Sequence, residues 1–257
     1  MLIDTHIHLD AAEFDGIRVK VLNDARAAGV NAFVVPAVDR ESFGRVVTLA
    51  SEHPDIHPAL GIHPLYVGQA SADDLEYLGQ ALERIKCVAV GEIGLDHFVE
   101  DVDREQQLKF FTAQLRIAQR FQLPAILHIR KAQDTVLKQL RLHPVRGGIA
   151  HAFNGSRQQA DAFITLGFKL GFGGAMSFEG SQRIRRLATE LPLESIVLET
   201  DAPDMRPAWG QGQINIPANI ARYARILAEL RGVSVDEVIR ATGVNARAAL
   251  PGLMEWD

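Results

Sequence analysis

The chain is poor in several things that would each have named a class of protein. It has a single cysteine, Cys87, among 257 residues, so no internal disulfide can form and a reducing compartment is the natural setting. No apolar run approaches the roughly 18–20 residues that a membrane span requires. No basic segment followed by an apolar stretch opens the chain, so a secretory leader is not expected and a cytoplasmic monomer is. There is no Gly/Ser linker, no low-complexity tract and no short-period repeat. No GxGxxG turn follows the first strand candidate, which removes the usual mark of a dinucleotide-binding sheet. Basic charge is not in excess: 27 Lys and Arg face 32 Asp and Glu, a net charge of −5. That balance argues against broad electrostatic capture of nucleic acid. It leaves room for a phosphate-handling pocket, because a bound metal ion carries positive charge that the formal count omits.

What the chain does have is alternation. Strand-like apolar segments read at 2–9 (LIDTHIHL), 31–38, 56–64, 87–96, 124–130, 148–154, 169–176 and 195–203. They are rich in Val, Ile and Ala and mostly continuously apolar, as strands covered on both faces are. Amphipathic helical patterns separate them. One places Ile17, Val21 and Ala25 at four-residue steps before Gly29; another opens on Ser71 with an acidic first turn. Eight strand–helix units in about 250 residues predict an α/β fold of the TIM (β/α)8 barrel type, a single domain over residues 1–257. A doubly wound sheet is the competing architecture.

Chemistry in such a barrel gathers at the C-terminal ends of the strands, and the metal-capable residues fall there repeatedly. His6 and His8 close the first candidate strand and would share one of its faces. His63 ends the third, Glu92 and Asp96 the fourth, and His128 the fifth; His151 lies in the sixth and Asp201 ends the eighth. His53, His57 and His143 sit beside prolines, where exposed turns explain them, and His97 reads as a loop residue. Buried carboxylates and imidazoles are costly unless paired or coordinating, and a shared cation would give each a partner. Taken singly, His63 reads as a hydrogen-bonded core residue; the other four His, with Glu92 and Asp201 in their apolar surroundings, exceed what one tetrahedral zinc needs, so two ions with one bridging carboxylate are expected. Mixed imidazole and carboxylate donors suit Zn, Mn, Co or Fe and also admit Mg.

Six motifs in order, "DTHIHLD", "GIHP", "VGEIGLD", "LPAILHIR", "HAFNGS" and "LETDAPDM", together resemble the TatD family of metal-dependent hydrolases, within the amidohydrolase-like TIM barrels. The last motif and the Gln/Gly-rich loop after it, "RPAWGQGQ", resemble a bacterial subgroup of that family. The resemblance implies that His6, His8 and Asp201 hold one metal and that His128 and His151 hold the second, with Glu92 bridging. It implies His63, Arg130 and Asn215 beside the substrate phosphate. It further implies a divalent-metal-dependent deoxyribonuclease, 3′→5′ on single-stranded DNA, with Asp201 and Glu92 as the catalytic carboxylates. Asn154 and Ile214 depart from the family pattern and bear on substrate preference. An amidohydrolase acting on a C–N or ester bond is the alternative; many such two-metal enzymes bridge with a carboxylated Lys on the fourth strand, where this chain has Glu92. A metal-stabilised scaffold without catalysis would instead need a coordinatively closed site.

Overall fold

A computed structural model describes residues 1–210 and 212–256; Gln211 and Asp257 lie outside the described residues. Eight strands form one parallel sheet in sequential order: β1 (Leu2–Asp4), β2 (Val30–Pro36), β3 (Ile56–Leu60), β4 (Ala89–Asp96), β5 (Ala125–Arg130), β6 (Gly148–Ala150), β7 (Phe168–Phe172) and β8 (Ile196–Leu198). The seam between β8 and β1 is bridged by Thr5 N–H donating to Leu198 O at 3.1 Å and Asp201 N–H donating to His6 O at 2.8 Å. The architecture is the (β/α)8 barrel expected from the alternation.

The helices outside it are α1 (Arg18–Ala27), α2 (Arg40–Glu52), α3 (Ala72–Arg84), α4 (Arg104–Phe121), α5 (Gln133–Leu142), α6 (Arg157–Thr165), α7 (Gln182–Glu190), α8 (Ile220–Arg231) and α9 (Val235–Ala249). Reciprocal capping boxes at Asp39, Ser71 and Ser156 start α2, α3 and α6, satisfying N–H groups that a helix start leaves unpaired. In α1, Val21 and Ala25 are buried as expected, but Ile17 is exposed because it stands at the N-cap, before the first turn. No helix among the described residues is long and apolar enough to cross a membrane.

Several strands are shorter than their apolar patterns. Those read over 2–9, 148–154 and 195–203 stop at Asp4, Ala150 and Leu198. His6 and His8 therefore lie beyond β1, not on it. The backbone bends at Thr5 and His6 but stays tied to its neighbours: Ile7 N–H donates to Val34 O and His8 N–H to Ala202 O. His57 also differs from expectation. It is 4% exposed inside β3, paired in register with Val34, because a strand central to a parallel sheet is covered on both faces.

Side chains from the strands fill the barrel interior. Ile3, Val34, Ala59, Ala89, Ile126, Ile149 and Val197 form one cluster, closed by Ala246, Ala249, Leu250 and Leu253. The strand period of two then carries the interior upward. Two residues past Ile126 is His128, two past Ile149 is His151, and two past Val197 is Glu199. The apolar floor and the polar ceiling are consecutive layers of the same strand faces.

Candidate metal centre

A cavity of about 670 Å3 opens at the C-terminal end of the barrel, lined among others by His8, His63, Glu92, His128, Arg130, His151 and Asp201. Its centre is Glu92, 2% exposed in mid-β4. One carboxylate oxygen, Oε2, lies 3.1 Å from His6 Nε2 and 3.6 Å from His8 Nε2. The other, Oε1, lies 3.0 Å from His128 Nδ1 and 3.6 Å from His63 Nε2. Asp201 faces the same space: Oδ1 is 3.5 Å from both His6 Nε2 and His8 Nε2, and Oδ2 is 3.5 Å from His151 Nε2. Asp201 holds this pose with φ 55°, a left-handed conformation uncommon for a residue with a Cβ, of the sort often found at functional sites.

Three groups of donor atoms lie within 4.8 Å of one another: His6, His8 and Asp201; His6, Glu92 and His151; and His63, Glu92 and His128. The six expected ligands thus converge, with His6, His8 and Asp201 grouped as the resemblance implies. His128 and His151 fall in separate groups, because His128 points Nδ1 at Glu92 Oε1 while His151 stacks on His6, centroids 3.6 Å apart. His63, expected at the substrate, reaches the same distances as the ligands. Its Nδ1, however, accepts a hydrogen bond from Leu65 N–H at 3.2 Å, which leaves the ring proton on Nε2. His63 therefore faces the cavity as a donor rather than a lone pair.

The donor chemistry fits divalent cations. His6 Nε2 and His8 Nε2 lie 3.3 Å apart and aim at the same carboxylate oxygens, an arrangement that one shared cation satisfies better than protons do. The electrostatics reflect this crowding. Burial opposes ionisation of Glu92, yet the His6 and His63 charges and hydrogen bonds from His128 and His6 hold it well below the usual carboxylate range. Burial likewise opposes ionisation of Asp201, and His151 and His8 outweigh it, so its pKa is depressed. Burial disfavours the charged form of His8, but its bond to Asp201 prevails and raises it to about 9. His6 goes down through burial and the neighbouring His151, and burial takes His63 to about 3. His151 is raised well above its ordinary value because Glu199 and Asp201 overcome its burial.

Two carboxylates behind the rings had no role assigned from the sequence. Asp96 Oδ2 is 3.0 Å from His128 Nε2. Glu199 Oε1 is 3.1 Å from His151 Nδ1 and accepts from Ala152 N–H at 2.6 Å. Gly171 makes room for Glu199, whose carboxylate would collide with any Cβ there. Such outer carboxylates orient imidazole ligands. Their signal was position: each lies an even number of residues from a ligand on its own strand segment, four after Glu92 and two before Asp201. Asp4 accepts from Thr200 N–H at 2.9 Å, from its hydroxyl at 2.6 Å and from His6 N–H at 3.4 Å.

The remaining expected residues separate. Arg130 lines the cavity, its guanidinium 3.8 Å from the Phe98 ring centroid. Asn154 also lines it and accepts from Arg183 at 2.5 Å. Asn215 does not reach the cavity. It is fully buried, donates to Thr200 O and Met205 O, and accepts from Ile216 N–H, Asn219 and Tyr223. It clamps the loop after Asp201. Ile214 packs against the core.

The sequence matches the family model "TatD related DNase" over residues 3–251. It is 44% identical over 242 residues to the metal-dependent hydrolase YjjV of Escherichia coli K12, covering 93% of each chain. The crystal structure of YjjV superposes with a TM-score of 0.94, covering 97% of this chain and 98% of that one at 42% identity. The 3′-5′ ssDNA/RNA exonuclease TatD of Erwinia tasmaniensis is 31% identical, with 96% of this chain and 98% of that protein aligned. With the barrel and its converging donors, these matches establish that the chain belongs to the TatD family and is a metal-dependent hydrolase.

Proposed function

We propose that the protein is a phosphodiesterase that uses two divalent ions to trim single-stranded DNA from its 3′ end. One observation supports the two-ion reading: the oxygens of Glu92 face separate imidazoles, one His6 and His8, the other His128. On this reading His6, His8, Glu92, His128, His151 and Asp201 would hold Zn, Mg or Mn. Such ions, when bound, lower the pKa of water toward neutrality and offset charge on phosphoryl oxygens. The nuclease reading is supported by the family and by the Erwinia relative, which is named for that activity.

The chain's own groups then have distinct work. Asp201, whose oxygens face His6, His8 and His151 in the cavity, takes a proton from the attacking water and returns it to the leaving oxygen. His63 points Nε2–H into the cavity and donates to a non-bridging phosphate oxygen. Arg130 offers a two-pronged guanidinium to the same group, steadied by Phe98. A carboxylate at position 92 where a carboxylated lysine would otherwise bridge disfavours the amidohydrolase alternative. One chain supplies every donor, which supports a monomer as the active unit.

The test is turnover of labelled single-stranded DNA, RNA and bis-p-nitrophenyl phosphate by metal-stripped protein reloaded with Mg, Mn or Zn. Cleavage of DNA from the 3′ end is the expected result. Absence of phosphoester cleavage with every metal would sink the proposal.

A further inference from the structure

Asp96 ends β4 and is fully buried, yet its two oxygens serve different parts of the molecule. Oδ2 meets His128 Nε2 at 3.0 Å, on the side of the ring away from Glu92. Oδ1 accepts from Phe98 N–H at 2.8 Å and Val99 N–H at 3.2 Å, folding back the loop after β4. That loop carries the Phe98 ring against which Arg130 packs. The β4–β5 register pairs Asp96 with Arg130, and His97 N–H donates to Arg130 O at 2.8 Å. In the metal-free protein both ring nitrogens of His128 face carboxylates; a carboxylate only accepts, so Asp96 would keep a proton on Nε2 and free the Nδ1 lone pair once a cation replaces the proton shared with Glu92.

We propose that Asp96 is a positioning residue that couples the two halves of the site. One oxygen presents His128 to a metal ion, and the other holds the Phe98 platform that aims Arg130 at phosphate. The inference deepens the phosphodiesterase reading and rests on it for the Arg130 half alone; the His128 half concerns metal binding and needs no substrate.

Asp96→Asn separates the halves. An asparagine keeps an oxygen for the loop N–H groups but turns an NH2 toward His128 Nε2, which forces the proton to Nδ1. Calorimetric titration of the metal-stripped protein with Mn2+ should then show one of two equivalents weakened by about 10–100-fold, while KM for a single-stranded oligonucleotide at saturating Mn2+ stays near wild type. Phe98→Ala should do the reverse: both equivalents bind as in wild type, and KM rises about 2–5-fold, the size of one exposed cation–π contact. A third measurement needs no variant. Mn2+ loading of the wild type should slow hydrogen exchange at the Phe98 and Val99 amides.

Wild-type Mn2+ affinity in Asp96→Asn would overturn the proposal, as would a Phe98→Ala KM that does not move. Should Asp96→Asn not fold, unchanged exchange at Phe98 and Val99 on Mn2+ loading overturns it instead. A wild type that cleaves no phosphoester refutes the function reading separately, since titration and exchange proceed without substrate.

Discussion

Glu92→Gln is the most direct probe of the centre, because the amide matches the carboxylate in shape and removes only its charge and one acceptor. In the metal-free protein, Glu92 contacts His6 at 3.1 Å and His128 at 3.0 Å, one through each oxygen. A glutamine keeps an acceptor for one of them and presents an NH2 to the other. A hydrogen bond to a charged partner is worth about 1.5–3 kcal/mol. The apo variant should therefore melt about 3–12 °C lower near pH 7, at about 2–4 °C per kcal/mol for a chain of this size. Excess metal should widen the gap, because wild type gains linkage stabilisation that the variant largely forgoes. An amide nitrogen is not a ligand, so calorimetry should find one equivalent bound much more weakly. Loss of about 3–4 kcal/mol of charge stabilisation would lower turnover about 10²–10³-fold. If Glu92→Gln bound two equivalents with wild-type affinity, the bridging role would be refuted, whatever happened to the rate.

Three further outcomes follow from the geometry. Asp201→Asn keeps a coordinating oxygen, so metal content should persist while turnover falls about 10²–10⁴-fold; near-normal turnover would remove the proton role. Asn215→Ala leaves several buried backbone partners unsatisfied, each costing about 1–3 kcal/mol, so a lowered melting temperature is the expected first effect. A KM change with unaltered melting would instead mean that Asn215 touches substrate. Metal uptake should strengthen as pH rises toward 9, because His8, raised to about 9 in the metal-free protein, must give up a proton to coordinate. The same raised pKa stabilises the metal-free fold fully below the ordinary histidine value and is lost as pH climbs through 9. Apo melting temperature should thus drop between pH 6.5 and 10, and a flat profile would contradict the His8–Asp201 pairing.

Much of the site was legible along the chain because each donor caps an apolar strand. The period of two that aims Ile126, Ile149 and Val197 inward also aims His128, His151 and Glu199. The same logic misled at His57. Adjacent prolines signal a turn, yet the register with β2 buries that ring. At Asn215 the resemblance names a residue but not the face of the loop its side chain takes; its hydrogen bonds to Thr200 and Tyr223 place it in the interior.

The sequence by itself determined the barrel, through eight strand–helix alternations, and set metal-capable residues at strand ends, among which the resemblance to the family singled out the six converging donors. Only the tertiary structure decided which donor faces which oxygen of Glu92, that His63 presents a proton rather than a lone pair, and that Asp96 and Glu199 stand behind their rings. The reason is physical. Periodicity sets the face on which a side chain emerges, whereas atom-to-atom pairing depends on loop paths and ring rotations that bring Glu92, His128 and Asp96 together from different strands.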